Sequence, residues 1–237
     1  MVSLSGPDNG VFVIQLNDGK DNRFDAVLLP ALLKALDDVE AHEGPTAVVI
    51  TGTGKFFSNG FSFDWLGKDP ATAVATLHIL LQRLLRLSVP SVAAINGHAF
   101  AGGAMLALAC DHKIMNAEKG MLCVNELDMG MGLSPQMLAL LKAKVPTGSQ
   151  ASILLGATRV TSAQALPLGL IHEGVAANDV LPRAVALAQS HAKKGVKKHV
   201  YRQVKEGLYK EFLDVMVAAD AAPPVVPTPT PAELAKL

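Results

Sequence analysis

Short apolar runs alternate along this chain with longer stretches of helical periodicity. Short runs that are β-branched or continuously apolar are typical of buried strands, and they lie at residues 11–16, 47–51, 91–95, 111–115 and 121–124. Apolar residues recurring every three or four positions predict helices, and they lie at residues 26–43, 71–87, 135–144 and 180–219. With glycines at the junctions, the pattern predicts an α/β fold of repeated strand–strand–helix units.

Three segments differ in character. Residues 1–175 carry the alternating strands and helices, and we expect them to form the core. Residues 176–222 are predominantly helical and are predicted to be a C-terminal region of the same domain. Residues 223–237 are rich in proline, which cannot continue a helix or a sheet ladder, so an extended flexible tail is predicted there.

The amino-acid composition limits the kinds of molecule that the protein is expected to bind. The 237 residues are 50% hydrophobic, and 21 basic residues balance 21 acidic ones, so no net field attracts nucleic acid or an anionic membrane. No apolar stretch is long enough for a membrane span, and no secretion signal is apparent at the N-terminus. Cys110 and Cys123 are predicted to be buried free thiols. We expect a protein that is made in the cytosol and binds a small molecule.

Two glycine turns are candidates for binding a negatively charged oxygen. Gly102 and Gly103 follow the strand at residues 91–95 and begin a small, apolar helix. Helix starts leave backbone N–H groups without intrahelical partners, and glycine permits close approach. The second turn is Ser58-Asn59-Gly60, inside an aromatic run, and it points the N–H of Phe61 toward a pocket. Each turn alone is equally compatible with a purely structural role.

A carboxylate follows the strand at residues 121–124. Glu126 lies among apolar neighbours, a costly position unless the carboxylate has a partner or a reaction to perform. Asp128, two residues later, is an alternative acid. The chain has no nucleophile elbow, phosphate-binding loop or metal-ligand cluster. One carboxylate with two turns that stabilise an enolate suits proton transfer beside a thioester carbonyl.

Four segments in order resemble the crotonase superfamily of enoyl-CoA hydratases and isomerases. They are Phe-Ser-Asn-Gly-Phe at 57–61, Ala-Ile-Asn-Gly-His-Ala-Phe-Ala-Gly-Gly-Ala at 94–104, Cys-Asp at 110–111 and Asn-Glu-Leu-Asp-Met-Gly at 125–130. The spacing fits from about residue 11 to residue 175, and the helical remainder looks like the family's C-terminal helices. The resemblance implies a spiral of strand–strand–helix units, homotrimers or hexamers, and an acyl-CoA substrate, with coenzyme A as part of the substrate and no separate cofactor.

The resemblance also assigns roles to residues. The N–H groups of Phe61 and Gly102 would bind the thioester oxygen. Hydratases carry two glutamates, but the first position is Met105 here and only Glu126 remains. A single acid suits a monofunctional isomerase, in which Glu126 takes a proton from C2 of a 3-enoyl-CoA and returns it to C4. Predicted substrate contacts are Ser58, Asn59, Gly60, Phe63, Trp65, Gly103 and Asn125; no metal is expected.

Several alternatives stay open at this level. Hydration, thioester cleavage and non-catalytic acyl-CoA binding are competing functions. Asn125 either orients Glu126 or ends the strand, while Asp111 is expected to be a cap or an ion pair. Arg23 is a candidate ligand for CoA phosphates, as are four late lysines: Lys193, Lys194, Lys197 and Lys198.

The chain ends in a variant of a peroxisomal address. Ala235, Lys236 and Leu237 differ by one residue from Ser-Lys-Leu, and the proline-rich tail would hold them away from the domain. We therefore expect recognition by the peroxisomal import receptor, with a cytoplasmic location as the alternative.

Overall fold

Pairs of consecutive strands followed by helices repeat along residues 1–220, the part of the chain that the computed structural model describes. The strands are β1 Val2–Asp8, β2 Val11–Leu16, β3 Ala47–Gly52, β4 Phe56–Ser58, β5 Ser91–Ile95, β6 His98–Phe100, β7 His112–Asn116, β8 Met121–Cys123, β9 Val160–Thr161 and β10 Glu173–Val175. The helices are α1 Leu28–Ala41, α2 Phe63–Lys68, α3 Pro70–Leu85, α4 Gly102–Ala109, α5 Pro135–Lys144, α6 Thr147–Gln150, α7 Ser162–Ala165, α8 Val180–His191, α9 Lys198–Leu208 and α10 Lys210–Asp220.

The strands form two sheets, a six-stranded one of order β1-β2-β3-β5-β7-β10 and a four-stranded one of order β4-β6-β8-β9. In three successive pairs, β3 with β4, β5 with β6 and β7 with β8, the first strand joins the six-stranded sheet and the second joins the four-stranded sheet. Neighbours are parallel except for β1 with β2 and β8 with β9. The carboxyl ends of β4, β6 and β8 therefore meet at one edge, where β9 begins. The predicted α/β fold of strand–strand–helix units is confirmed.

Two helices cover the sheets through different kinds of surface. Every residue of α4 is buried, as its small apolar sequence predicts. Helix α8 places Val180, Ala184 and Ala188 against the six-stranded sheet, including Val49 and Val92. The spacing of four residues puts these small side chains on one face of α8, which allows close packing.

Helix α9 docks through its polar face. The Lys205 ammonium lies 2.7 Å from the Asp111 carboxylate and donates to the Leu84 carbonyl at 2.8 Å. On the same helix, the apolar side chains of Val200, Val204 and Leu208 are exposed. Ion pairs and hydrogen bonds therefore hold the C-terminal helical region on the core, and Asp111 has the structural ion-pair role expected for it.

The sequence missed strands that are short or lie at an edge. Residues 56–65 were predicted as a glycine turn, but β4 precedes that turn and α2 follows it. The three residues of β6 lie between Gly97 and Gly102, too few to show a period. β1 contains Gly6 and Pro7, which argue against a strand in sequence. It forms nevertheless, because it pairs with β2 at the sheet edge.

Both cysteines are free and buried, as expected. Burial raises the pKa of the Cys110 thiol to about 12 and that of the Cys123 thiol to about 11, so both stay protonated at neutral pH. Within residues 1–220, no helix is long and apolar enough to cross a bilayer. The predicted tail at 223–237, including Ala235, Lys236 and Leu237, lies outside the described residues.

Candidate active site

A cavity of about 320 Å³ opens at the carboxyl edge of the four-stranded sheet. All four strands of that sheet contribute to it through the segments at this edge, because β9 runs antiparallel to β8 and begins where β8 ends. Its lining residues are Arg23, Asn59, Phe61, Phe63, Leu66, Val74, Ala101, Asn125, Glu126, Asp128, Met129, Met131, Gly132, Met137 and Arg159.

The turn after β4 fixes the direction of the Phe61 N–H. The Gly60 carbonyl accepts a hydrogen bond from the Phe24 N–H at 2.7 Å, and the Ser62 N–H donates to the Phe24 carbonyl at 2.8 Å. In a trans peptide the N–H points opposite to the C=O. The Phe61 N–H therefore points away from Phe24, which is fully buried and not part of the cavity lining.

The turn after β6 carries backbone strain at Ala101, where φ is 50° and ψ is −127°. Such a conformation costs on the order of 1–3 kcal/mol in a residue other than glycine. The Ala101 carbonyl accepts from the N–H groups of Ala104 at 2.9 Å and Met105 at 3.1 Å, so it points into α4. The N–H of Gly102, on the same peptide, consequently points out of the helix start.

The two turns touch each other at glycines. A Cβ added to Gly60 would lie 3.1 Å from the Gly102 nitrogen and 2.9 Å from the Ala101 Cβ, and Gly60 has φ of 69°. A Cβ added to Gly103 would lie 2.2 Å from the Ser58 carbonyl oxygen. Side chains at these glycines would push the turns apart, so the glycines bring the two N–H groups together.

Glu126 lies on the third segment of the cavity wall, just after β8. It is 6% exposed, and its Oε2 has no hydrogen-bond partner among the described residues. Burial raises the pKa of the Glu126 carboxyl from 4.5 to about 7, opposed weakly by a hydrogen bond from its own backbone. A group with this pKa can accept and then donate a proton near neutral pH.

Two neighbours of Glu126 also face the cavity. Asn125 lines it, and the Asn125 Oδ1 is buried without a hydrogen-bond partner in the described part of the chain. Asp128, the alternative acid, lines the cavity too but is exposed. Met105, at the position of the first glutamate of hydratases, is fully buried in the core. Among residues 1–220, no group of acids, histidines and cysteines is placed to hold a metal ion.

The structure separates the predicted contact residues into two groups. Asn59, Phe61, Phe63, Asn125 and Glu126 line the cavity. The others are not among the lining residues: Ser58, Gly60, Trp65, Gly102 and Gly103.

Two residues of the second group, Ser58 and Trp65, contact other parts of the protein. The fully buried Ser58 hydroxyl donates to the Asn22 carbonyl at 2.7 Å. The ring of Trp65 meets that of Phe61 edge-on, with centroids 6.1 Å apart. We interpret Ser58 and Trp65 as supports of the first turn rather than direct substrate contacts.

Several lining residues were not predicted from sequence. Arg159 reaches the cavity because β9 begins beside the end of β8. Met129, Met131 and Met137 supply much of the apolar wall. The sequence does not distinguish them, since methionines of a cavity wall have the same spacing as methionines of a hydrophobic core.

Among the four late lysines, the Lys198 ammonium donates to the carbonyl oxygens of Glu40 and His42, at the end of α1.

Comparison with known proteins agrees with this geometry. The profile of the enoyl-CoA hydratase/isomerase family matches residues 6–222. The chain is 32% identical to enoyl-CoA delta isomerase 3 of Arabidopsis thaliana, over 85% of this chain and 90% of that protein. It is 27% identical to the peroxisomal enoyl-CoA delta isomerase 1 of the same plant, over 90% and 91%. The solved human mitochondrial delta3-delta2-enoyl-CoA isomerase superposes with a TM-score of 0.82 at 25% identity, covering 93% of this chain and 88% of that one.

Proposed function

The chain belongs to the enoyl-CoA hydratase/isomerase family, and we propose that it converts a 3-enoyl-CoA into the trans-2-enoyl-CoA. The observation that carries the proposal is one buried carboxylate, Glu126, in a cavity bordered by two turns. The carbonyls of Gly60 and Ala101 are held by hydrogen bonds from other backbone N–H groups. The N–H groups of Phe61 and Gly102, on the same two peptides, point in the opposite directions. The similar isomerases support the same reaction class.

In the proposed mechanism Glu126 transfers one proton twice. The ionised carboxylate removes a proton from C2, and the electrons move through the thioester to give a dienolate. The N–H groups of Phe61 and Gly102 donate hydrogen bonds to the dienolate oxygen, which carries the new charge. Protonated Glu126 then delivers its proton to C4, and the double bond ends between C2 and C3. A pKa of about 7 suits both transfers.

The alternatives need groups that the cavity supplies less well. Hydration requires one group to activate water and another to deliver a proton, yet the buried Met105 occupies the first of the two acid positions and only Glu126 remains. Asp128 is exposed, so the cavity does not remove it from solvent as it does Glu126. Thioester cleavage and simple acyl-CoA binding are separated from isomerisation by the assay below. No cofactor besides the coenzyme A of the substrate enters the proposal.

Substitution of Glu126 tests the proposal. With a 3-enoyl-CoA, isomerisation creates a conjugated thioester whose ultraviolet absorbance rises as product forms. We expect Glu126→Gln to lower this rate about 10²–10⁴-fold, because the variant can no longer carry the proton. The wild-type rate should follow a group with pKa of about 7 in the free enzyme.

Two matched variants control this experiment. Glu43→Gln makes the same chemical change on an exposed glutamate and should leave the rate unaltered. Asp128→Asn should change it by less than about tenfold if Glu126 is the acid. Full turnover by Glu126→Gln, or loss of turnover in Asp128→Asn alone, would refute the assignment. Loss of absorbance from a 2-enoyl-CoA, or release of free thiol, would instead indicate hydration or cleavage.

Location and assembly stay predictions. The relative named as peroxisomal supports a peroxisomal location, and the family resemblance supports a homotrimer or hexamer. A fluorescent fusion that ends in the native tail should enter peroxisomes, and deletion of Ala235, Lys236 and Leu237 should leave it in the cytosol. The same distribution for both fusions would overturn the targeting prediction.

A further inference from the structure

We infer that Arg23 is a positioning residue that holds the Phe61 turn in place, an inference that rests on the proposed role of the Phe61 N–H. Arg23 lies in the loop before α1 and lines the same cavity as Glu126. Its Nη1 donates to the Phe61 carbonyl oxygen at 3.0 Å, and its guanidinium carbon lies 5.0 Å from the centre of the Phe63 ring.

The Phe61 turn depends on this distant loop for its shape. The Asn59 N–H donates to the Asp21 carbonyl at 3.0 Å, and Phe24 pairs with the turn on both sides of Phe61. The loop and the turn are separated by more than thirty positions in sequence, for example 38 between Arg23 and Phe61. The turn is therefore built by tertiary contacts rather than by its own sequence.

Arg23 completes a clamp on both peptides of Phe61. The carbonyl before Phe61, that of Gly60, is held by the Phe24 N–H at 2.7 Å. The carbonyl after it, that of Phe61 itself, is held by Arg23. With both peptide planes fixed, the Phe61 N–H keeps one direction while charge develops on the substrate oxygen, which is the preorganisation that an oxyanion hole requires.

A guanidinium is suited to this task and is already engaged. It is planar and cationic, so it can donate in its plane to a carbonyl while its carbon lies over the Phe63 ring. Its Nε lies 3.5 Å from the Asp21 carboxylate, and the side chain is only 29% exposed. These contacts favour a positioning role over the phosphate binding that the sequence suggested for Arg23.

The test compares two substrates that differ only in the phosphate-bearing part. A 3-enoyl-CoA carries the nucleotide phosphates, whereas the 3-enoyl-pantetheine lacks them. We expect Arg23→Met to lower kcat at least about tenfold on both substrates, with KM changed less than about threefold. Arg23→Lys, which can still donate to the Phe61 carbonyl, should lower kcat by a smaller factor. Lys20→Met removes an exposed charge from the same loop and should match the wild type.

A second measurement separates this inference from the proposed reaction. A bound 2,4-dienoyl-CoA absorbs at longer wavelength when its thioester carbonyl is polarised, and Arg23→Met should reduce that shift while the dienoyl-CoA still binds. The shift requires no turnover, so it tests Arg23 even if Glu126→Gln defeats the isomerase assignment. If Arg23→Met unfolds, Phe63→Leu replaces it, and a smaller loss of kcat is expected.

The contrary results are equally specific. A rise in KM confined to the CoA ester, with the pantetheine ester unaffected, would mean that Arg23 binds phosphate. An unchanged kcat and an unchanged dienoyl shift in folded Arg23→Met would overturn the positioning role.

Discussion

Two carboxylates with little solvent exposure lie in different regions of this molecule, and their pKa values are shifted in opposite directions. At the edge of the four-stranded sheet, Glu126 has an Oε2 without a hydrogen-bond partner among the described residues, and burial raises its pKa to about 7. At the junction with α9, burial also acts to raise the pKa of Asp111, but Lys205 and other partners lower it below 3.8. The Lys205 ammonium is 2.7 Å away.

The difference shows that polar partners, rather than burial alone, set the direction in which the pKa of a shielded carboxyl is shifted. The Asp111 carboxylate accepts from the N–H and the hydroxyl of Ser91 at 3.0 and 2.9 Å and from the Tyr201 hydroxyl at 3.2 Å, in addition to its ion pair. These donors favour the charged form. Glu126 lines the cavity, and its buried Oε2 has no hydrogen-bond partner among the described residues. Burial without such a partner destabilises the charged form and favours binding of a proton.

Removing the partner of a buried charge should have the largest effect on stability. Asp111→Ala leaves the Lys205 ammonium buried without its counter-charge, so we expect the free energy of unfolding to fall by about 3–5 kcal/mol. Urea denaturation at pH 7 measures this change. The isomerisation rate per folded molecule should stay close to that of the wild type, since Asp111 is not part of the cavity lining.

An exposed pair provides the control for that measurement. Lys34 and Asp38 form an i,i+4 ion pair on α1 with side chains 74% and 50% exposed. Asp38→Ala should cost less than about 1 kcal/mol, because solvent screens the pair. If Asp111→Ala and Asp38→Ala lowered the free energy of unfolding equally, the proposed difference between a shielded ion pair and an exposed one would be wrong.

Removing the charge of Glu126 should instead raise the free energy of unfolding. A carboxyl with a raised pKa binds its proton more tightly in the folded state, so stability falls as pH rises from 4.5 to about 7 and stays lower above that. Glu126→Gln should abolish this loss. The expected gain in the free energy of unfolding is on the order of 3 kcal/mol at pH 8 and small at pH 5.

Denaturation of both proteins at these two pH values measures the gain. Asp111 gives the reverse dependence: its stabilisation is present above pH 3.8 and is lost as pH falls further. A Glu126→Gln variant that is no more stable than the wild type at pH 8 would show that the carboxylate has a stabilising partner in solution. The comparison between the two acids would then fail.

Periodicity was enough to predict most of the fold. The helix predicted at residues 135–144 is observed as Pro135–Lys144, and the buried helix after the glycine pair is α4. Periodicity did not predict β4 and β6, each of which is three residues long. Strands this short are stabilised by neighbours in the sheet, and a sequence window contains too few residues to show their alternation.

A site residue could be predicted when adjacent residues marked it, and could not be predicted when only contacts with distant segments brought it to the cavity. Glu126 was found from its own surroundings, a carboxylate after an apolar strand. Arg159 was missed because it reaches the cavity only through the pairing of β9 with β8. The strained conformation of Ala101 was also missed, since alanine gives no sign of a positive φ. Arg23 was noticed, but its contacts with Phe61 and Phe63 were not foreseen.

The amino-acid sequence by itself determined the repeating units, the two glycine turns and the single acid between apolar neighbours, because each depends on residues that are adjacent along the chain. Only the tertiary structure decided which carboxylate has hydrogen-bonding and charged partners and which has an oxygen without a partner. That decision depends on donors contributed by distant segments: Lys205 lies beside Asp111, and the described residues offer no such group to the Oε2 of Glu126. A carboxyl pKa depends on three-dimensional surroundings, which no local pattern contains.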